Sequence, residues 1–174
     1  MKEQRDDEFT AFVAERGAAL LRTACLITGD RQHGKDLVQT TLANAYGAWE
    51  KVRRSDHPPA YVRRIMVTSH LSWRRRLLNT EQVIERMPDS WTDDHQTAQA
   101  DTDEMRRALM ELSPRVRTAV VLRYFEDLSE AGTAPVMGCS VSTVNNHVTK
   151  GLAALRVLLA PGHGDLTPTT GRLQ

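Results

Sequence analysis

The chain has 174 residues, of which 40% are hydrophobic and 26% are charged, and its formal net charge is +1. This composition is ordinary for a soluble globular protein, and the length suits one large domain or two small ones. Apolar runs fall short of the roughly 20 residues that a membrane-spanning helix needs, and the polar start MKEQRDDEF is unlike a secretory signal peptide. We expect a cytoplasmic protein in which Cys25 and Cys139 are reduced.

Charge is distributed unevenly along the chain. Residues 1–78 carry 14 basic and 9 acidic side chains, residues 79–104 carry one basic and 8 acidic, and residues 105–174 carry 8 basic and 5 acidic. Two basic blocks therefore flank an acidic, polar segment.

The first basic block predicts helices only. Apolar residues at helical spacing from Phe9 to Ile27 line one helix, which we expect to end at Gly29. Asp30 is placed to cap a second helix, whose apolar residues run from 37 to 49. We expect a basic loop over residues 51–57.

A third helix begins at Pro58 and Pro59, because proline is favoured in the first helical turn. It ends on a basic run that follows an aromatic residue: Trp73, Arg74, Arg75 and Arg76. Arginines beside aromatic rings suit a strand of unpaired nucleic acid, because guanidinium groups hold phosphates while rings stack on bases. A basic helix end also complements the helix dipole, and this helix alone supports both interpretations equally.

Residues 79–103 are predicted to form a flexible acidic linker. This segment contains Pro88 and lacks sustained helical periodicity before about Ala98, although a short helical start is expected near residues 81–87. The alternative is a solvated loop within a single fold. Two domains are better supported, because each flank has its own periodic helices. Asp93, Asp94 and His95 lie in this segment, which lacks the rigid support that a metal or acid–base site needs.

Residues 113–160 predict a helix, a turn, a short helix, a second turn and a long helix, the layout of a helix-turn-helix. Capping and turn residues mark the expected boundaries: Ser113 with Pro114, Ser129, Gly138, and Ser140 or Ser142. The last helix is apolar on one face, and its other face is polar and suits a DNA groove: Ser142, Thr143, Asn145, Asn146, His147 and Lys150. A plain three-helix bundle would show the same periodicity, but the order of the elements favours DNA binding.

Motifs of catalysis and metal binding are missing from the sequence. The six histidines form neither an HExxH pattern nor a pairing with the cysteines at zinc spacing. We therefore predict neither an enzyme nor a bound cofactor or metal. Residues 161–174 are rich in Gly and Pro and predict a disordered tail. Nothing in the sequence resembles a sustained dimer seam, so we expect a free monomer.

Several stretches, in order along the chain, resemble an extracytoplasmic-function sigma factor of the sigma-70 family, close to the SigE-like group of actinobacteria: RGAALLRTACLITGD, DLVQTTLANAY, AYVRRIMV with SWRRR, and VLRYFEDLSEA with MGCSVSTV. The resemblance covers roughly residues 8–160. It implies an all-α protein with a region-2-like helical bundle over residues 1–78, the acidic linker, and a region-4-like helix-turn-helix over residues 104–160. Such proteins bind core RNA polymerase, direct it to promoters and help to melt the duplex, and they are not enzymes by themselves.

The resemblance also implies roles for individual residues. Docking on the largest polymerase subunit falls to the stretch that contains Asp36, Leu37, Val38 and Gln39, of which Asp36 and Gln39 are the expected surface contacts. Capture of the melted minus-ten element falls to Arg53, Arg54, Tyr61, Arg63, Arg64, Trp73, Arg74 and Arg75. Reading of the minus-thirty-five element falls to the polar face of the last helix, with Ser142, Thr143, Asn145, Asn146, His147 and Lys150.

Three departures from that family weaken the expected binding. Asn145, Asn146 and His147 stand where basic residues are usual, so phosphate contacts are lost, although asparagine can still pair with adenine. Gly132 and Pro135 should kink or shorten the second helix of the motif. Residues 33–35 and Thr40 replace a stretch that is more acidic in relatives, which puts polymerase docking in question. We predict weak or context-dependent promoter binding, with an accessory activator or a separate anti-sigma protein as a further partner.

Two other functions stay open on the sequence alone. One is a helix-turn-helix regulator that binds operators without polymerase. The other is a sigma-like decoy that binds polymerase or an anti-sigma protein without starting transcription.

Overall fold

A computed structural model describes residues 2–79 and 99–161, and in these ranges all regular structure is helical. The helices are α1 (Lys2–Thr28), α2 (Arg31–Gly47), α3 (Trp49–Arg53), α4 (Pro58–Asn79), α5 (Gln99–Met110), α6 (Pro114–Tyr124), α7 (Glu130–Met137) and α8 (Val141–Leu158). We call α1–α4 the N-terminal half and α5–α8 the C-terminal half. The predicted all-α class is confirmed. The residues of the expected linker from 80 to 98, and of the expected tail from 162 onward, lie outside the described ranges.

The turn between α1 and α2 has the predicted boundaries. Gly29 has a φ of 81°, the left-handed conformation that glycine adopts without strain. Asp30 caps α2, because its side chain accepts a hydrogen bond from the backbone N–H of His33 at 2.7 Å. The two helices then pack closely at Gly34, where an added Cβ atom would lie 2.6 Å from the Sγ atom of Cys25.

The basic loop that was predicted over residues 51–57 is wrong at its start. Residues 49–53 form the short helix α3, so that only residues 54–57 remain between helices. Burial explains the difference, since Trp49 and Val52 are 4% and 0% exposed and lock this turn into the core. The rings of Phe9 and Phe12 meet Trp49 edge-on at centroid distances of 5.2 and 5.4 Å.

The helix-turn-helix has the predicted order and caps. Ser129 accepts from the N–H of Gly132, and Ser140, rather than Ser142, caps α8 by accepting from the N–H of Thr143. Gly138 ends α7 in the left-handed conformation, with a φ of 65°. Ser113 occupies the N-cap position of α6, although its side chain makes no capping bond.

The second helix of the motif is short, as Pro135 led us to expect. Helix α7 has 8 residues and contains Pro135, whose ring lies on an exposed position. The helix before the motif, α5, begins at Gln99 and thus extends into the segment that was predicted to be a linker up to residue 103.

The two halves are packed on each other. Helix α4 contacts α7, and α1 contacts α6. Met110 of the C-terminal half covers Gly29 of the N-terminal half so closely that a Cβ atom on this glycine would lie 1.8 Å from the methionine sulfur. The interface therefore needs glycine at this position for its space as well as for its backbone angle.

Within the described ranges, none of the helices has the length and apolar character to cross a bilayer. Cys25 and Cys139 are both half-buried and carry free thiols.

Candidate nucleic-acid and polymerase interfaces

The outer face of α8 carries an exposed polar row. Ser142, Asn145 and Asn146 are exposed, as is Lys150 in the next turn. Thr149 is also exposed and lies four residues after Asn145 and three after Asn146, so it belongs to the same face. Thr149 was not among the residues predicted from the sequence, although helical spacing places it on this face.

Two of the residues that were predicted on this face are turned toward the protein. Thr143 is half-buried, and its hydroxyl lies 2.8 Å from the Oγ atom of the capping Ser140. His147 is also half-buried, and burial, together with the positive charges of Arg115 and Lys150, lowers the pKa of its imidazole. His147 is therefore disfavoured as a cation near neutral pH, which leaves Lys150 as the cation of the predicted reading residues.

Helix α4 divides the predicted minus-ten residues between two faces. Arg64 and Arg75 are exposed, and the ring of Trp73 is 42% exposed. Arg63 and Arg74 lie on the side that faces the C-terminal half and are half-buried. Positions 64, 68 and 75 are exposed and are separated by four and seven residues, which puts Arg64 and Arg75 on one face, whereas Trp73 lies on the side toward α2.

Arg63 is held by an ion pair across the interface between the halves. Its Nη2 atom lies 2.6 Å from the carboxylate of Glu126, and the two side chains are only 19% and 16% exposed. The hydroxyl of Thr23 donates a hydrogen bond to the same carboxylate. The guanidinium of Arg63, which was predicted to contact DNA, therefore already has a partner inside the protein.

The remaining predicted minus-ten residues lie at the start of α4 and before it. Arg53 donates to the Glu50 carboxylate at 2.8 Å, and Arg54 lies 3.3 Å from the same group with 72% of its side chain exposed. The hydrogen bond from Arg53 lowers the pKa of Glu50. Tyr61 is half-buried against the core.

On α2, the predicted docking stretch separates into surface and core. Asp36 and Gln39 are exposed, whereas Leu37 is buried and Val38 packs partly against the core. Thr40 adds a further exposed position on this side of the helix. Asp36 and Gln39 are therefore the members of the stretch that a partner protein can reach.

A cavity of about 280 Å³ lies between α2 and α4. Its lining includes Asp36, Leu37 and Asn44 from α2 and Ser69, His70 and Trp73 from α4. The cavity therefore lies between the predicted docking stretch and Trp73. His70 is 3% exposed, and its Nε2 atom lacks a hydrogen-bond partner among the described residues. Burial, with the nearby charges of Arg74 and Arg117, lowers the pKa of this histidine to about 4.

Arg117 is a buried cation that was not predicted from the sequence. Its guanidinium donates to four main-chain carbonyls, those of Ile27 at 3.0 Å, Leu109 at 2.9 Å, Met110 at 3.3 Å and Leu112 at 3.0 Å. Burial and the charge of Arg74 lower its pKa to about 10, so it is still charged at neutral pH. Arg117 lies three and four residues before Val120 and Val121, so it belongs to the apolar face of α6. This spacing indicates its burial from the sequence.

Among the described residues, histidine, cysteine and carboxylate side chains do not gather into a group that could hold a metal ion. The segment with Asp93, Asp94 and His95 lies outside those ranges.

Comparison with known proteins agrees with this arrangement. A profile of the family described as sigma-70, region 4, matches residues 102–155. Over 149 residues the chain is 37% identical to the RNA polymerase sigma-E factor of Streptomyces coelicolor, a match that covers 86% of this chain and 84% of that protein. It is also 27% identical over 154 residues to the ECF RNA polymerase sigma factor SigL of Mycobacterium tuberculosis, with 86% and 87% covered.

Among solved structures, the fold is similar to that of the sigma factor RpoE from Bartonella quintana, which was crystallised with the anti-sigma factor NepR. The TM-score is 0.74 at 20% sequence identity, and the match covers 89% of this chain and 98% of that chain. At this identity the likeness concerns the fold alone, whereas the sequence match to the Streptomyces protein extends over both halves. The chain therefore belongs to the RNA polymerase sigma factors of the sigma-70 family, in the extracytoplasmic-function group.

Proposed function

We propose that this protein binds core RNA polymerase and directs it to promoters through their minus-ten and minus-thirty-five elements. The observation that carries the proposal is the exposed polar face of α8 on a helix-turn-helix, in a chain that is 37% identical to a sigma-E factor. In a helix-turn-helix, the recognition helix, here α8, lies in the major groove and presents its N-terminal residues to base edges.

The minus-thirty-five element is assigned to Ser142, Asn145, Asn146 and Thr149, with Lys150 reaching a phosphate. Hydroxyl and amide groups can read donors and acceptors of the major groove, and asparagine is suited to adenine. One cation on this face gives few phosphate contacts, so binding should be weak and should depend little on salt. An accessory activator would supply the missing affinity.

The minus-ten element is assigned to α4, where Arg64 and Arg75 are exposed on one face and the partly exposed ring of Trp73 lies on the side toward α2. An exposed ring and exposed guanidinium groups on one helix support binding of an opened strand, because bases stack on the ring while the arginines meet phosphates. Arg63 and Arg74 can join this surface only after the C-terminal half moves away. Arg53 and Arg54 remain candidates at the near end of the helix.

Docking on the polymerase is assigned to Asp36 and Gln39 of α2, with Thr40 beside them. These side chains are exposed on one side of the helix, while Leu37 holds the helix to the core from the other side. A partner of this surface can therefore bind without unfolding the N-terminal half.

Promoter binding requires the two halves to separate. The two elements are about 25 base pairs apart, which is roughly 85 Å of duplex, whereas α4 and α7 are in contact. We infer that the packed arrangement is the state of the free protein and that docking on polymerase opens it. The chain between residues 79 and 99 can span about 65 Å when extended, and the 22 residues of α4 add about 33 Å, so the separation of the two elements is within reach.

The first test is run-off transcription with purified core RNA polymerase on the promoter of the protein's own gene, with a pull-down of the core in parallel. Specific transcripts that depend on the protein, and that are lost in Trp73→Ala and in Asp36→Ala, would support the proposal. Core binding without transcripts from a promoter library would instead indicate the decoy function. Tight DNA binding without core binding would indicate an operator-binding regulator.

An anti-sigma partner is tested in the same system. The sigma factor RpoE, which has a similar fold, was crystallised with the anti-sigma factor NepR, which supports adding candidate anti-sigma proteins in trans. A candidate that abolishes transcripts and co-purifies with the protein would establish that partner.

A further inference from the structure

Helices α7 and α8 are joined by a hydrogen bond between two polar side chains on the DNA-facing side. The Nδ2 atom of Asn145 donates to the Oε1 atom of Glu130 at 2.9 Å. Asn145 is exposed on the outer face of α8, and Glu130 is the first residue of α7 and is half-buried. Within the described ranges Glu130 makes no salt bridge, so its carboxylate is available to the asparagine.

The bond selects one of the two orientations of the Asn145 amide. An ionised carboxylate only accepts hydrogen bonds, so the amide nitrogen faces Glu130. Turning the amide by half a rotation would place its carbonyl oxygen against the carboxylate, which is repulsive. The Oδ1 atom is consequently directed away from Glu130, and the second N–H of the amide stays available.

Glu130 and Asn145 both lie near the starts of helices whose N-termini are capped by serine side chains. Ser129 caps α7 immediately before Glu130, with its Oγ atom 2.9 Å from the nitrogen of Gly132. Ser140 caps α8 and holds Thr143, which lies two residues before Asn145. The backbone positions of both partners are thus fixed by local capping, and the side-chain bond is made between rigid helix ends.

The orientation matters for distinguishing purines. Adenine offers the N6 amino group as a donor beside the N7 acceptor, whereas guanine has the acceptor O6 in place of N6. An asparagine with a fixed carbonyl oxygen accepts from N6 and donates its free N–H to N7. The same fixed oxygen would face the O6 atom of guanine, and two acceptors repel.

We propose that Glu130 is a positioning residue that makes Asn145 select adenine over guanine in the minus-thirty-five element. This rests on the proposed function, in which α8 lies in the major groove. Without Glu130 the amide turns freely, and its two N–H groups can then be offered to the N7 and O6 acceptors of guanine. Glu130 thus sets the base preference and makes no DNA contact itself.

The test uses the full-length protein with core RNA polymerase and a promoter library randomised across the minus-thirty-five element. The transcribed promoters are sequenced for the native protein and for N145A, N146A, E130A and E130Q, and the base frequencies at each position are compared. We expect N145A to reduce the preference for adenine over guanine at one position by about tenfold. E130A should reduce that preference at the same position by about fivefold, and E130Q should reduce it to a similar extent, because a glutamine amide donates as well as accepts and so pairs with either orientation of the Asn145 amide.

The controls separate positioning from general damage. N146A marks a neighbouring position whose preference E130A must leave unchanged, and equal thermal midpoints of the variants exclude unfolding. The inference is overturned if E130A leaves the Asn145 position unchanged, if it changes all positions equally, or if N145A changes none. The proposed function fails separately, if the native protein selects no base at any position of the element.

Discussion

The guanidinium of Arg63 and the carboxylate of Glu126 meet at 2.6 Å, across the boundary between the two halves of the molecule. Arg63 belongs to the helix that is proposed to capture the minus-ten strand, and Glu126 lies between the first two helices of the helix-turn-helix. A carboxylate of the C-terminal half therefore pairs with an arginine that is proposed to contact the minus-ten strand. A phosphate of the promoter would have to replace Glu126 on this arginine.

Breaking this pair should expose the minus-ten surface in the free protein. We expect Glu126→Gln to weaken the interface by about 1–3 kcal/mol, because the pair is charged and largely shielded from water. The free variant should then bind a labelled single-stranded minus-ten oligonucleotide several-fold more tightly than the native protein, as measured by fluorescence anisotropy. Asp127→Asn is the matched control, since it removes a charge next to Glu126 from an exposed site whose φ of 53° asparagine accepts. Equal affinities of all three proteins would contradict the prediction.

Arg117 should contribute strongly to stability. Arg117→Ala removes the guanidinium donor from four main-chain carbonyls, of which that of Leu109 keeps the N–H of Leu112, and we expect the free energy of unfolding to fall by about 3 kcal/mol. Arg117→Lys keeps the charge but offers one ammonium group in place of a planar fork, so it should lose an intermediate amount. Urea denaturation measures both effects. The exposed Arg115→Ala should change the free energy of unfolding by less than about 0.5 kcal/mol. A similarly small loss in Arg117→Ala would show that water replaces the guanidinium at little cost.

His70 should make the protein sensitive to mild acid. Its pKa in the folded state is about 4, below the ordinary value of 6.5, so the unfolded chain takes up a proton first as the pH falls. The neutral form of His70 contributes about 3 kcal/mol to the free energy of unfolding. This contribution is complete above pH 6.5 and is lost progressively as the pH falls to about 4. Urea midpoints from pH 7 to pH 4 should fall less steeply in His70→Asn than in the native protein. His57→Asn, in the exposed loop before α4, should follow the native curve. Parallel curves for the native protein and His70→Asn would exclude this role.

Two glycines of α2 should respond in opposite ways to alanine. A methyl group on Gly34 would lie 2.6 Å from the sulfur and 3.0 Å from the backbone nitrogen of Cys25, so Gly34→Ala should cost about 1–3 kcal/mol through overpacking. Gly47 has open space where the methyl group would be placed, so Gly47→Ala should stabilise the helix by about 0.5–1 kcal/mol. Thermal unfolding of the two variants gives the comparison. A gain in Gly34→Ala would mean that α1 and α2 separate without penalty.

Local signals of the sequence predicted most helix boundaries. Asp30, Ser129, Gly138 and Ser140 act through bonds or backbone angles within three or four residues, so their effects are legible in the chain itself. Helix α3 was missed because the basic residues around it suggested a loop, whereas burial of Trp49 decided the conformation. Burial against distant helices is a tertiary effect that outweighs local composition.

Residue types indicated the stretches that could form the candidate sites, but the direction in which each side chain faces was predicted less well. Of the arginines assigned to the minus-ten element, Arg63 faces Glu126, which is 63 residues later in the chain, and nothing near Arg63 in the sequence indicates this partner. The carbonyls around Arg117 belong to helix ends that come together only in the folded state. Thr149, by contrast, lies at helical spacing from Asn145 and Asn146, so its place on the exposed face can be read from the sequence.

The bonds of Arg117 are unequally shared between the two halves. Three of its acceptors, in residues 109–112, belong to the same half as the arginine, and a single acceptor, Ile27, belongs to the other. When the halves part, the guanidinium therefore keeps most of its partners and returns one donor to water. The interface can open at this residue without dismantling the helix-turn-helix, so the cation that stabilises the C-terminal half costs little to detach from the N-terminal one.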